Sequence, residues 1–102
     1  MITRIFEVEI NPVLRTEFEH DFSNLALPAT QATEGCLTVS IGKPTQWTPN
    51  TYLMISQWES VQSLINFAGE NWGEAVIPDA MARYAAAYRV SHFENWPSDM
   101  AD

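Results

Sequence analysis

The chain opens on an alternation. Ile2, Phe6, Val8 and Ile10 fall on one side of an extended segment and Thr3, Glu7 and Glu9 on the other, the period of two that marks a strand with one buried face. Arg4 and Ile5 break the pattern, each on the wrong side. Asn11-Pro12 then pairs a helix N-cap with a proline at the first helical position. Leu14, Phe18, Phe22 and Leu25 follow at spacings of four, four and three, one stripe of an amphipathic helix, while Arg15, Glu17, Glu19 and Asp21 fall away from it. Pro28 is expected to stop or kink this helix, because proline lacks the N–H and its ring meets the preceding turn.

Cys36 to Ile41 reads as a second strand, with Leu37, Val39 and Ile41 facing opposite to Thr38 and Ser40. A turn-rich connection runs from Gly42-Lys43-Pro44 to Pro49-Asn50. In the third strand, Tyr52 to Trp58, Leu53 and Ile55 take one face and Tyr52, Met54 and Trp58 the other, so both faces call for cover. Ser60 is the expected cap of a second helix carrying Val61, Leu64, Ile65 and Ala68, which Gly69 ends. Asn71 to Ala87 reads as an irregular helical stretch broken at Pro78, with Asp79 as a candidate cap, and Tyr88 to Glu94 as a fourth strand.

The order β-α-β-β-α-β is the split βαβ, or ferredoxin-like, pattern of the α+β class: a four-stranded antiparallel sheet with both helices on one face. The other face is then bare and apolar on strands three and four, an area large for a monomer. Burying a few large side chains there at roughly 25 cal/mol per Å2 stabilises by several kcal/mol, so a homodimer joined through the sheet faces is expected.

Composition narrows the class. The chain has 102 residues, with 5 Lys or Arg against 13 Asp or Glu, a net charge of −8. That length holds one domain, placed at 1–96, with a short acidic tail at 97–102. An apolar content of 46% is too high for intrinsic disorder. The acidic balance disfavours nucleic acid and anionic lipid as partners. No apolar run approaches the roughly 20 residues that span a bilayer, and the start shows no basic-then-apolar signal segment; a cytoplasmic protein is expected. Cys36 is the only cysteine, which excludes an internal disulfide and a cysteine-based zinc site. Glu7 and Glu9 share a face without a histidine or cysteine at ligand spacing, so they read as a wet face and no metal site is expected. There is no Gly-rich phosphate loop and no Gly-x-Ser-x-Gly elbow.

Four stretches carry a resemblance: Met1-Ile2-Thr3-Arg4-Ile5-Phe6, Ser56-Gln57-Trp58-Glu59-Ser60, Phe67-Ala68-Gly69-Glu70 with Ala75-Val76-Ile77-Pro78, and His92-Phe93-Glu94. Together they resemble the antibiotic-biosynthesis-monooxygenase-type domain over nearly the whole chain, in its small bacterial branch with Phe-Ala-Gly-Glu after the second helix. The resemblance implies a dimeric α+β barrel. It also implies one of two chemistries. One oxidises polycyclic phenols with molecular oxygen and without metal or flavin. The other degrades haem, with an Asn on the first strand, a Trp on the second helix and a His about ten residues beyond it. Here Phe67 stands where that Trp belongs and Ile77 where that His belongs, and no histidine lies between Ser60 and Ser91. Haem degradation is disfavoured on that pattern, and no cofactor is expected.

His92 shares a strand face with Glu94, and a neutral imidazole held by a carboxylate can accept a proton from a phenol or an activated C–H. The plainer alternative is a histidine satisfied at a sheet edge or dimer seam. Arg4 in an apolar face can stabilise a phenolate or enolate; alternatively it pairs with an acid such as Glu94, or reaches water at the strand end. Phe6, Trp58, Phe67, Trp72 and Tyr84 are the candidate walls of a pocket for an aromatic ligand, against the alternative that Trp58 and Phe67 are simply core. His20, among Glu19 and Asp21, reads as a solvated surface residue.

The expected function is a cofactor-independent monooxygenase acting on a small hydrophobic aromatic, phenol- or quinol-like, with His92 as base and Arg4 as anion stabiliser. The alternative is a non-catalytic dimeric barrel that binds a small ligand, and a third possibility is a barrel that mediates assembly.

Overall fold

Four antiparallel strands in the order β2-β3-β1-β4 form one sheet in the computed structural model, which describes residues 1–74 and 79–96. The strands are β1 (Ile2–Ile10), β2 (Cys36–Gly42), β3 (Thr51–Trp58) and β4 (Ala85–Glu94). The fold is α+β and ferredoxin-like, as the pattern of elements predicts. Residues 75–78, which include Ile77 and Pro78, and the tail at 97–102 lie outside the described residues, as do the side chains of Asp79 and Ala80.

β1 runs down the middle, and its alternation sets the layers. Ile2, Arg4, Val8 and Ile10 are buried beneath the helices, and Phe6 is half-buried beside them. Arg4 thus takes a core-face position, and Ile5 a position on the bare face opposite Ile55. On β3, Tyr52, Met54, Ser56 and Trp58 are buried on the helix-covered side.

The first helical layer is built in pieces. The Asn11 side chain accepts from the Val13 N–H, Pro12 opens a short 3-10 turn (Pro12–Leu14), and α1 (Arg15–Asp21) follows. Pro28 neither stops the helix nor stands in its interior. A π-turn at Phe22–Ala26 lets the Leu27 N–H reach the Phe22 carbonyl, and α2 (Leu27–Gln31) restarts with Pro28 in its first turn, where the missing N–H costs little.

Two other expectations are corrected. Leu37 does not share a face with Val39 and Ile41: the β2–β3 register slips between Cys36 and Thr38, and Leu37 is the extra, half-exposed residue. The stretch before β4 is not helical through Ala87. A four-residue helical turn, α4 (Asp79–Ala82), precedes β4, and Ala85 and Ala87 pair with Ile10 and Glu9 of β1. Sheet pairing here overrides the helix preference of alanine.

α3 (Val61–Ala68) begins as read, with the Ser60 side chain accepting from the Ser63 N–H at 3.1 Å. Gly35 lies against it at φ +90°, and a Cβ there would collide with Ser63, so glycine is required by both backbone and space. The core falls into two clusters: Val8, Ile10, Phe18, Phe22, Tyr52, Met54, Met81 and Tyr84 in one, and Ile2, Trp58 and Leu64 with Phe67 and Trp72 in the other.

Candidate functional site

Between those clusters the helix layer and the sheet do not close, leaving a cavity of about 300 Å3. Its sheet side is Arg4, Phe6 and Val8 of β1 with Met54 and Ser56 of β3. Its roof comes from Phe18, the π-turn residues Phe22, Leu25 and Ala26, then Ala29 and Thr30, with Phe67, Met81 and Ala85 at the sides. The π-turn widens the helix where it faces the cavity, a common use of this distortion. Among the described lining residues, only Arg4, Thr30 and Ser56 carry polar side chains.

Thr30 Oγ1 donates its hydrogen to the Ala26 carbonyl at 2.9 Å. Ser56 Oγ accepts from Trp58 Nε1 at 2.9 Å. Arg4 is 4% exposed, and its Nη1 donates to the Trp72 carbonyl at 2.7 Å and to His92 Nε2 at 2.8 Å. Its Nη2 donates to the Glu74 carbonyl at 3.1 Å, and its Cζ lies 5.9 Å from the Phe67 ring centroid. No carboxylate pairs with it among the described residues. The expected partner Glu94 is exposed at the end of β4.

A guanidinium only donates, so His92 Nε2 must carry the lone pair and the ring proton sits on Nδ1. Burial, and after it the charge of Arg4, hold the His92 pKa below its ordinary 6.5. Burial also lowers the pKa of Arg4, to about 10, which leaves it cationic at neutral pH. The result is a neutral imidazole backing a buried cation whose counter-charge, among the described residues, is carbonyl dipoles.

Of the residues singled out from sequence, Arg4, Phe6 and Phe67 line the cavity. His92 stands behind Arg4 and meets the edge of Trp72, ring centroids 4.7 Å apart. Trp72 enters through its carbonyl on Arg4 rather than as a wall. Trp58 is fully buried and packs on Phe67 at 4.9 Å, and Tyr84 lies in the other cluster with its hydroxyl on Asp21. Neither borders the cavity. His20 is at the surface as expected, beside Asp21. The α1 stripe residues Phe18, Phe22 and Leu25 were legible as an apolar face, but not as the lining of an open space. Ser56 and Thr30 carried no sequence signal beyond being polar.

Among the described residues there is no group of three or more His, Cys, Asp or Glu side chains placed to hold a metal ion. The lining does not fit haem either. Among the described residues it contains no His, Cys or Tyr, and the Met54 sulfur already faces the Thr30 hydroxyl at 3.6 Å. No described helix is long and apolar enough to cross a membrane.

Comparison with known proteins agrees with the fold. A structure from Deinococcus radiodurans described as an antibiotic biosynthesis monooxygenase superposes with a TM-score of 0.74 at 12% identity, covering 95% of this chain and 94% of that one. One so described from Caulobacter crescentus gives 0.73 at 19%, covering 94% and 90%. A point mutant of MhuD, solved with two manganese protoporphyrin IX bound per active site, gives 0.68 at 19%, covering 93% and 94%. No curated protein matches the chain. The family model described as antibiotic biosynthesis monooxygenase matches residues 1–71, more than half the sequence, and the protein belongs to that family.

Proposed function

We propose that the cavity binds a small hydrophobic aromatic ligand as its oxyanion, and that the protein is a cofactor-independent monooxygenase of phenol- or quinol-like substrates. One observation supports this above the others: a buried cation with no carboxylate partner among the described residues faces a predominantly apolar cavity. Burying an uncompensated charge is costly, and a phenolate or enolate would supply the missing counter-charge.

The chemistry asks little more of the protein. Arg4 holds the substrate oxyanion and so favours loss of a proton. His92 takes that proton once Nη1 turns from Nε2 toward the substrate. The carbanionic substrate passes an electron to dioxygen, the radical pair joins as a peroxide, and the proton returns to it. Loss of water then leaves a carbonyl, so that a ring CH2 and O2 become C=O and H2O. Phe6 and Phe67 flank the ring, while Trp58, Trp72 and Tyr84 support the walls from behind. The working unit is a homodimer joined through the bare sheet faces in a soluble, cytoplasmic setting.

A second reading, a non-catalytic ligand-binding barrel, draws on a different observation. The His92 lone pair points at Arg4, and no other base lines the cavity among the described residues. Oxygen uptake separates the two. With an anthrone or hydroquinone panel, the enzyme reading expects uptake that Arg4→Met and His92→Ala each lower at least tenfold. Tight binding by Arg4-intact protein without oxygen uptake favours the binder, and neither binding nor uptake across the panel overturns both.

A further inference from the structure

His92, Arg4 and Ser56 form one row across three strands, because Arg4 sits opposite His92 on β4 and opposite Ser56 on β3. Ser56 is 3% exposed and lines the cavity. Its Oγ accepts from the Trp58 indole at 2.9 Å. An indole N–H is a donor only, so the Ser56 hydrogen must go elsewhere, and no described residue accepts it. Arg4 is in a similar state. Both Nη1 hydrogens and one on Nη2 are taken by Trp72, His92 and Glu74, which leaves Nε–H and the second Nη2–H without a described acceptor. Thr30 differs, since its single hydrogen is already spent on Ala26. The row therefore offers a ligand several unspent donors beside a positive charge, against one remaining acceptor, the second Ser56 lone pair.

Resting on the cavity's being the ligand site, the geometry points to Ser56 as a second, specificity-determining hydrogen-bond donor that acts with Arg4 on the oxyanion of an ionised hydroxy-aromatic ligand. Trp58 positions it: by engaging a Ser56 lone pair, the buried indole turns the hydroxyl hydrogen away from itself. An oxyanion can take several of these donors beside the positive charge, whereas an un-ionised phenol finds one acceptor on the row and leaves the charge uncompensated, so the ionised form is favoured.

The test uses 4-nitrophenol, whose phenolate absorbs visible light, and 4-nitroanisole, which shares its nitro group but cannot ionise. Wild-type protein is expected to prefer the phenolate and to lower the bound phenol's pKa. Ser56→Ala is expected to weaken phenolate binding about tenfold, return the bound pKa upward by about one unit, and leave 4-nitroanisole within about twofold. Ser56→Thr, which keeps the hydroxyl, is expected to restore both. An unchanged phenolate affinity in Ser56→Ala, or an equal loss for both probes, overturns the assignment. Because alanine strips the Trp58 indole of its acceptor, Ser56→Cys carries the same expectation should Ser56→Ala fail to fold. Wild-type protein that binds neither probe defeats the reading of the cavity itself; wild-type binding with no effect of Ser56 defeats only this one.

Discussion

Arg4 Nη1 lies 2.8 Å from His92 Nε2, so two side chains that are often both cationic share one hydrogen bond, with the imidazole as acceptor. Protonating Nε2 would break that bond and set two cations together. Burial first, and this repulsion second, hold the His92 pKa below 6.5 in the folded protein. Between that value and 6.5 the unfolded chain binds more protons than the folded one, so stability rises with pH across this window. The contribution is complete above the unfolded value and is lost as pH falls toward the folded one. Titration of the His92 ring by NMR and urea midpoints across about pH 5 to 7 check this. His92→Gln should flatten the stability profile, and Arg4→Met should move the histidine back toward its ordinary value.

The sheet was legible because its signals are local. Alternation in β1 marks its buried face, and Arg4 shows as a polar break within it. Other features depend on what lies across the fold. Leu37 looks like any alternating residue until pairing with β3 makes it the bulge. Ala85 and Ala87 prefer helix until β1 offers an edge. The cavity is less legible still. Phe18 and Phe22 belong to the core stripe and to the lining at once, and no local pattern distinguishes a side chain facing a partner from one facing space. Trp58 was open to both readings for the same reason, and it is core.

That open space should accept mass. Ala26 stands in the π-turn at the cavity roof, half-buried against the larger cluster. Ala26→Leu adds three carbons at the cavity lining, and at about 0.8 kcal/mol per buried methylene, less about 0.5–1 kcal/mol for ordering the longer side chain, it should stabilise the fold by about 1–2 kcal/mol. Thermal unfolding is expected to shift upward while the cavity no longer takes an aromatic probe. A destabilised variant that still binds would mean the cavity lies elsewhere.

Two core tyrosines reach outward to acids on α1. Tyr84 Oη donates to Asp21 Oδ2 at 2.6 Å and Tyr52 Oη to Glu19 Oε2 at 2.6 Å. The tyrosine hydrogen bonds are the leading reason both carboxyls titrate below their usual 3.8 and 4.5. A carboxyl with a depressed folded pKa contributes stability above its unfolded value and loses it as pH falls through the folded one. Tyr84→Phe is thus expected to lower the urea midpoint at neutral pH and to converge on wild type in acid. A gap that stays constant down to about pH 3 would assign the effect to packing alone.

The bare sheet face makes the last prediction. Ile5 pairs with Ile55 at its centre, Leu53 lies beside them, and Phe93 on β4 is 56% exposed. The Glu7–Arg89 ion pair marks the polar side of this patch. An isoleucine pair flanked by exposed aromatic surface is poorly placed against water but well placed against its own copy, since a two-fold axis would bring like against like. Sedimentation at micromolar concentration is expected to give twice the chain mass. Ile55→Glu would put two carboxylates into that seam, one from each copy, and is expected to yield monomer. If wild-type protein sediments as a monomer, the apolar face is tolerated in water and the paired architecture does not apply. A dimer unaffected by Ile55→Glu would place its seam away from the sheet.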